Sequence, residues 1–490
     1  MINIGAEDYN VLKQQYIKKY IRLELLDFQY NIVDELSGNM TKCSINVDSN
    51  SDLRRSCDLG FVVTTSTFDI KAGSKVWIDK MVRPYVGYEN IHTGEIQWYN
   101  QGIYLVNNPQ WLYDASTNEI SIQVLDLMSK LTGLRNGNLE GIPTKIAKDE
   151  NVREAIIKTI ELGGFTKYIC EECKTKDGTI VPVPYDIEID VGGTIYDILT
   201  ELRDIMPNYQ IYFDVNGVFH YEPIPLAYDD PVLIDDDLWT NLLISENINT
   251  DFESVKNYVE VLGHTWDVDY YSPSDKTTVS GGTITPTFAD LKELQNDTAV
   301  GITLPSDITN IDKITINFLG SNDVVDIDDI PIKSLAKDTE WIFQYVIQTE
   351  GEGESATETK FWRFMGHQQA QAISYDDNPD SPFYVGDPIG SSSVGRIRIV
   401  LYGGEYDNIY SDDLAQQRAD FEIYQRSRLN DSISMTTVPI PWIDTNIVIL
   451  HRFGQKEIPS KYIVKSFNVD YSTGGTMTIN AITWYPYYEK

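Results

Sequence analysis

The stretch YIVKSFNVDYSTGGTMTINA, Tyr462–Ala481, predicts a β-hairpin close to the end of the chain. In its first half apolar side chains alternate with polar ones, which is typical of a half-buried strand. The apolar parity holds Ile463, Phe467, Val469 and Tyr471, the opposite parity holds Val464, Ser466, Asn468 and Asp470, and Lys465 is the exception. Ser-Thr-Gly-Gly predicts the turn, and Met477, Ile479 and Ala481 alternate with Thr478 and Asn480 in the returning strand. Such a pair has one apolar face, so it predicts a larger sheet against which it closes.

The composition predicts a β-rich chain of several domains. A chain of 490 residues exceeds the size that a single hydrophobic core usually serves, so we expect three or four domains. Tyr is abundant, with 31 Tyr against 16 Phe, and Thr, Val and Ile are frequent, which favours strands. The fold class predicted is mainly β, a β-rich α+β arrangement.

The charge of the chain argues against stable binding to nucleic acid. Lys and Arg number 39 and Asp and Glu number 74, which gives a formal charge of −35. Affinity for phosphates depends on basic residues that release counterions, and these are outnumbered along the whole chain. An acidic surface would instead suit a conduit that DNA passes without adhering.

No apolar run approaches the length of a membrane span, and no secretory signal follows Met1, so we expect a soluble chain without stable membrane insertion.

The order of patterned segments predicts four domains. Residues 1–138 are predicted to form a first β-barrel, and whether residues from about 226–250 complete this barrel is left open. Residues 139–225 are predicted to form a small α/β module. In that module Thr194 and Asp197 form a capping-box pattern, and Asn216-Gly217 predicts a hairpin. Residues 251–266 and 381–490 read as a second β-barrel with one helix at about 411–430, interrupted by an all-β insertion at 267–380.

No catalytic or cofactor motif is assembled in the sequence. GSSSVG, residues 390–395, fails the spacing of a nucleophile elbow because Val394 stands where Gly is required. The five His do not form a zinc-binding pair; they are His92, His220, His264, His367 and His451. The acidic runs at 235–237, 323–329 and 376–380 lack the pattern of a calcium loop, so we interpret them as solvated turns.

Two weaker candidates remain. Cys170 and Cys173 form a single CxxC that lacks the other two ligands of a structural zinc site, and Cys43 and Cys57 read as buried free thiols. Aromatic residues that alternate on strands could line a sugar site, although core packing is the favoured interpretation; they are Trp98, Tyr99, Tyr104, Trp111 and Tyr113. We therefore predict no catalytic, cofactor-binding or metal-binding residues.

The order of the parts resembles the baseplate hub family of tailed bacteriophages, in particular the hub portion of tail-associated proteins from phages of Gram-positive hosts. The resemblance rests on WYNQGIYLVNNPQWLYD, EISIQVLDLMSKLTGLRNG, YDILTELRDIMPNYQIYFDVNGVFHYEPIP, VKNYVEVLG and QQRADFEIYQRSRLNDSISMTTVPIPWIDTNIVILHRF, followed by the closing hairpin. It covers about three quarters of the chain and leaves out the insertion. Family members that degrade peptidoglycan carry a lysin domain beyond the hub, whereas this sequence ends after the last strand, so we expect no enzyme here.

The resemblance implies a structural tail-tip component. In that family each chain carries two similar tube-type barrels, and three chains place six barrels in a ring that continues the sixfold tail tube and adapts it to a threefold tip. The implied partners are two further copies, the distal tail or tail tube ring, the C-terminus of the tape-measure protein, and spike or fibre proteins. DNA would pass without sequence-specific binding. The implied location is the virion tail tip, after synthesis and assembly in the host cytoplasm.

Two alternatives stay open at this point. The insertion at 267–380 would serve a carbohydrate- or receptor-binding tail protein, with its aromatic residues as the binding part. A cell-wall hydrolase would use carboxylates whose separation in space one sequence does not reveal.

Overall fold

The computed structural model describes residues 6–37, 40–63, 70–116, 118–139, 144–174, 178, 180–184, 186–206, 209–224, 241–265, 276–289, 291–309, 313–326, 334–350, 357–376, 395–428, 430–454 and 459–484. Strands dominate these residues, which confirms the mainly β class. The chain divides into two compact units. Unit 1 comprises Met1–Phe252 with Leu429–Glu489, and unit 2 comprises Glu253–Arg428.

Unit 1 begins with the short helix α1, Ala6–Leu12, and eight strands follow. These are β1 Lys19–Leu26, β2 Ile32–Ser37, β3 Met40–Asp48, β4 Arg55–Val62, β5 Met81–Glu89, β6 Ile96–Asn100, β7 Tyr104–Tyr113 and β8 Asn118–Asp126.

A small α/β module follows in unit 1. Its elements are β9 Thr144–Ile146, α2 Val152–Leu162, β10 Tyr168–Cys170, β11 Ile187–Ile189, α3 Ile195–Asp204, β12 Tyr209–Phe213 and β13 Phe219–Pro223. The capping box predicted at Thr194 and Asp197 begins α3. The hairpin predicted at Asn216-Gly217 joins β12 to β13, and Gly217 adopts the positive φ that such a turn requires. Both helices pack their apolar faces into one core with β12 and β13.

Strand β14, Leu243–Asp251, returns the chain to the large sheet, and the strands of unit 2 come next. They are β15 Tyr258–Thr265, β16 Thr278–Ser280, β17 Thr283–Thr285, β18 Ala299–Thr303, β19 Ile308–Thr309, β20 Thr315–Phe318, β21 Ser321–Asp326, β22 Ser334–Leu335, β23 Glu340–Glu350, β24 Thr357–Gly366, β25 Gln369–Tyr375 and β26 Arg398–Leu401. Helix α4, Asp412–Arg426, closes unit 2 within the predicted helix at about 411–430.

The last four strands belong to unit 1 again. They are β27 Asn430–Thr437, β28 Val448–His451, β29 Ser460–Asp470 and β30 Met477–Thr483. The predicted closing hairpin is therefore formed by β29 and β30.

These strands join the N-terminal ones in one sheet. Its order is β14-β27-β30-β29-β3-β4-β8-β7-β5-β1-β2, with β28 paired to β29 and β6 to β5. The two halves meet where β29 pairs antiparallel with β3, so that Phe467 faces Val47 and Val469 faces Ile45. One hydrophobic core runs beneath both halves. Within the described residues β14 pairs only with β27, and β2 pairs only with β1. Strands β14 and β2 are therefore the two edge strands of this sheet order.

A β-bulge corrects the predicted parity of the closing hairpin. Val464 faces Ala481 and Ser466 faces Asn480, so Lys465 is an extra residue between two continuous stretches of the ladder. The core face therefore changes parity there: Val464 and Phe467 both enter the main core, while Ile463 packs against Val448 and Trp484 in a separate cluster. The prediction that Ile463 shares a face with Phe467 was wrong, because strict alternation does not survive an inserted residue.

The pairing of β15 differs in part from the predicted grouping. The stretch VKNYVEVLG was grouped with the closing strands, and β15 does pair with β26; it also pairs with β25, which lies in the predicted insertion. Strands β27 to β30 pair in the large sheet instead. Strand β15 packs against helix α4. Val259 and Val261 of β15 are buried against Ala415, Ala419 and Ile423 of the helix. The domain boundaries themselves stay a prediction.

Candidate functional site

A cluster of mostly buried polar side chains in unit 1 lies where three segments distant in sequence meet, and we call it the polar junction. Its members are Arg54 and Arg55 before and at the start of β4, Gln210, Tyr212, Asp214, His220 and Glu222 of the module, and Asp444, Thr445, Asn446 and Lys465 of the closing segment. The junction joins the N-terminal half of the sheet, the α/β module and the closing strands.

Arg54 is the centre of the junction. Arg54 is 6% exposed, and its guanidinium donates to Thr445 Oγ1 at 2.7 Å, to the Thr445 carbonyl at 3.0 Å and to Gln210 Oε1 at 3.0 Å. Its Cζ lies 4.0 Å from the centroid of the Tyr212 ring, a cation–π contact. Burial lowers the pKa of Arg54, because a buried cation loses hydration that its neutral partners replace only in part.

Arg55 forms an ion pair with Asp444 in the junction. Its Nη2 contacts Asp444 Oδ2, and both side chains are largely buried. Nearby, Asp126 accepts a hydrogen bond from the Met128 N–H at 2.8 Å. Burial raises the pKa of Asp126 to about 6. Breaking a buried pair of this kind typically costs more than forming it contributes, since the remaining charge is left without a partner.

Lys465 reaches the junction because of the bulge. Its Nζ donates to Asn446 Oδ1 at 3.3 Å, and Asn446 Nδ2 donates to Gln210 Oε1 at 2.7 Å. Burial and the neighbouring Arg54 lower the pKa of Lys465 to about 8. The residue that broke the sequence pattern of the closing hairpin is thus the one that this strand contributes to the junction.

The module side of the junction is built around His220. Its ring stacks on Tyr212 at 4.9 Å, its Nδ1 lies 3.0 Å from Glu222 Oε2, and its Nε2 lies 3.7 Å from Asp214 Oδ2. Tyr212 donates its hydroxyl to Glu222 Oε1 at 2.7 Å. Burial alone would lower the pKa of His220, but the contacts with Asp214 and Glu222 outweigh it and raise that pKa to about 9. His220 is therefore a cation at neutral pH; its Nδ1 donates to Glu222, and its Nε2 forms only the longer charge contact with Asp214.

This cluster can position chain segments. Its cations hydrogen-bond to groups of the chain itself. Among the described residues, no group of three or more His, Cys, Asp or Glu is arranged to hold a metal ion.

The structure separates the histidines of the sequence analysis. His92 lies in an exposed turn, His264 stacks on Tyr410 at 4.3 Å, His367 lies 2.6 Å from Asp412, and His451 lies 2.6 Å from Glu246. Only His220 belongs to the junction. Sequence reasoning named His220 only in passing and missed Arg54 altogether; the sole signal was the misplaced lysine in the final hairpin.

The cysteines lie apart in two pairs. Cys43 and Cys57 are buried free thiols, as predicted. Cys173 is buried and Cys170 half-buried, and burial raises the pKa of both thiols to about 11. Both are therefore neutral near pH 7, a state that is a poor metal ligand and a poor nucleophile.

The strand aromatics divide between core and surface. Tyr99 and Tyr104 are buried, and Tyr99 packs against Tyr88 and Trp442. Trp98, Trp111 and Tyr113 are exposed by 36%, 39% and 80%. In the insertion, Trp362 and Phe343 are fully buried. The predicted acidic run at 235–237 and most of GSSSVG lie outside the described residues, as do parts of the runs at 323–329 and 376–380.

Within the described part of the chain, no helix is both long enough and apolar enough to cross a membrane.

Comparison with known proteins relates the chain to tail proteins in its fold. Residues 380–488 match a family described as a domain of unknown function, DUF5048. No curated protein matches the sequence. Among solved structures, the chain is similar to the 43 kDa tail protein of prophage MuSo2 from Shewanella oneidensis, with a TM-score of 0.50, 12% identity, and coverage of 95% of this chain and 98% of that one.

Two further tail proteins are similar at lower scores. The tail protein from Neisseria meningitidis MC58 has a TM-score of 0.48 and 9% identity, with coverage of 94% of this chain and 96% of that one. Prophage tail protein gp18 from Listeria monocytogenes EGD-e has a TM-score of 0.42 and 8% identity, with coverage of 94% of both chains. At such identities the likeness concerns the fold, and it establishes no activity for this chain.

Proposed function

We propose that this chain is a structural hub protein of a phage-type tail tip, in which three copies form a ring that continues the tail tube and leaves a channel for DNA and the tape-measure protein. The chain acts as a scaffold, without enzymatic activity. Its partners are two further copies, the distal tail or tail tube ring, the tape-measure C-terminus, and spike or fibre proteins. The location is the virion tail tip, after assembly in the host cytoplasm.

The observation that carries the proposal is the continuous sheet of unit 1. Both halves, N-terminal and closing, contribute to one ladder through β29 and β3, and the described residues leave β14 and β2 each with one neighbour. Edge strands present unpaired N–H and C=O groups that invite another chain. Here both edges also expose apolar side chains, Ile32 and Val33 on β2 and Ile244 on β14.

Two different edges on one chain favour a head-to-tail assembly. A heterologous contact, in which one surface meets a different surface on the next copy, generates a closed ring when its rotation closes. The similarity in fold to a prophage tail protein over nearly the whole chain supports a role in a tail. The polar junction supports the ring, since it fixes the module to both halves of the sheet and would keep the edges in a constant geometry.

Immunogold electron microscopy tests this function. Antibody against the chain, applied to phage-like particles released by the source strain, is expected to place gold at the tail tip alone, and a reconstruction of labelled tips is expected to show a threefold ring. Gold on fibres would favour a receptor-binding protein. Particles without label, or label along the whole tail, would contradict the proposal.

A further inference from the structure

The exposed face of the closing strands has an unusual composition, and we call it the hydroxyl–amide face. On β14, β27, β29 and β30 ten of the side chains opposite the main core are Ser, Thr or Asn, and the apolar Ile463 and Ile482 lie on the same side at one end; the ten are Ser245, Asn247, Asn249, Ser432, Ser434, Thr436, Ser466, Asn468, Thr478 and Asn480. All ten are exposed or half-buried. The opposite face of the same strands holds Ile433, Met435, Val469 and Ile479 in the core.

The register of the strands aligns these residues in rows across the sheet. Asn247 faces Ser434, Ser434 faces Asn480, and Asn480 faces Ser466. Within this row Ser434 Oγ donates to Asn480 Oδ1 at 2.9 Å, and Asn480 Nδ2 donates to Ser466 Oγ at 3.1 Å. Part of the polar capacity of the face is therefore satisfied by the face itself, which leaves fewer donors for a ligand.

The face carries no formal charge at these ten positions, although the chain as a whole carries −35. Charge returns at its border, with Asp251 at the end of β14, Asp470 at the end of β29, Asp48 on β3 opposite Ser466, and the Lys42–Asp58 pair, at 3.6 Å, on β3 and β4. Four adjacent strands span about 15 Å, so the neutral region is wide enough to face the backbone of a nucleic acid. A surface without Lys or Arg offers a polyphosphate no release of counterions and so no appreciable affinity.

We propose that the hydroxyl–amide face lines the channel and is the surface past which duplex DNA moves, a low-adhesion wall that works by being neutral and internally hydrogen-bonded. This inference rests on the proposed function. It differs from the expectation of an acidic lumen, which came from the total charge: acidic residues stand at the border of this face, and the ten neutral positions between them neither attract nor strongly repel phosphates.

The test adds charge to the wall without disturbing the fold. Asn468 and Asn247 are exposed, and within the described residues neither side chain makes a hydrogen bond, so the double variant Asn468→Lys, Asn247→Lys removes no recorded contact. The matched control, Gln15→Lys with Asn136→Lys, adds the same charge at exposed positions outside the strands of the face. The single variant Asn468→Lys applies the same test if the double variant does not enter particles.

The substituted chains are examined in particles from the source strain. Electron microscopy and the protein content of purified tails report whether each chain is incorporated, and the rate of DNA release triggered in vitro reports its passage. We expect the wall variant to release DNA at least about tenfold more slowly than the control, with the difference shrinking as salt is raised.

Equal release rates for wall variant and control, with both chains incorporated at the tail tip, would overturn the inference and leave the proposed function intact. An equal slowing of both would overturn it too, since the position of the charge would then not matter. Absence of the unsubstituted chain from tails would instead refute the proposed function.

Discussion

The polar junction and the hydroxyl–amide face are two polar regions that differ in their content of charged side chains. The junction buries the charges of Arg54, Arg55 and Asp444, whereas the face exposes ten side chains without a charge. A buried charge is stable only with hydrogen-bonding or charged partners at defined positions, so it holds the segments that carry these partners in one arrangement. An exposed neutral hydroxyl or amide has no such requirement, because water can hydrogen-bond to it. Charge is thus used where distant segments are joined, and it is left out where the sheet is open.

The two regions meet on a single strand. On β29 the side chains of Ser466 and Asn468 belong to the face, and the bulge at Lys465 sends its ammonium group to Asn446 in the junction. Without the extra residue, this strand would continue its alternation and would contribute nothing to the junction at that point.

The largest expected effect comes from deletions on β29. Deleting Asn468 moves Val469 and Tyr471 off the core face, so we expect loss of folded unit 1. Deleting Lys465 removes the bulge and leaves the ladder intact, because Val464 and Ser466 already pair with consecutive residues of β30. Two hydrogen bonds are lost, from Lys465 Nζ to Asn446 and from the Ser49 N–H to the Lys465 carbonyl, so we expect that variant to fold with a loss of about 2 kcal/mol. Circular dichroism during heating compares the two, and equal losses would contradict the role given to the bulge.

The next effect tests the junction. Arg54→Met keeps the bulk of the side chain but removes three hydrogen bonds and the contact with Tyr212, so we expect unit 1 to lose roughly 3 kcal/mol of unfolding free energy. The control is Arg398→Met in unit 2, whose exposed ion pair with Glu260 should contribute less than about 1 kcal/mol. Denaturant unfolding with hydrogen exchange of β12 and β13 measures both. Unchanged protection of these strands in the Arg54 variant would refute the central position of Arg54.

The smallest effect concerns pH. The pKa of His220 is raised from an ordinary value of 6.5 to about 9, so its stabilising contribution is complete below pH 6.5 and is lost as the pH rises through 9. The groups that face it are Asp214, Glu222 and the Tyr212 ring.

We expect the difference in unfolding free energy between the wild type and His220→Gln to shrink by about 1 to 2 kcal/mol from pH 6 to pH 9.5. Denaturant unfolding at both pH values measures it, with His92→Gln in an exposed turn as the control. A difference that stays constant with pH would show that His220 is neutral in the folded protein.

Local patterns of the sequence predicted local structure well. The mainly β class, the closing hairpin, the capping box at Thr194, the turn at Asn216-Gly217 and the helix near 411–430 all follow from residues close to each other in the chain, whose backbone preferences and alternation act over a few positions. The single-site prediction that failed, the parity of Ile463, failed at a bulge, where one inserted residue changes the face without changing the composition.

Contacts between segments far apart in the chain could not be predicted from local sequence patterns. The pairing of β29 with β3, the convergence of Arg54, Gln210 and Thr445, and the pairing of β15 with both β25 and β26 join residues that no local period links. The neutral face likewise came from register, because Ser, Thr and Asn at alternate positions of four strands become one surface only when the strands are aligned. Alternation within each strand predicts which of its sides is polar. The folded sheet determined which polar sides lie together, because long-range pairing depends on how the whole core packs.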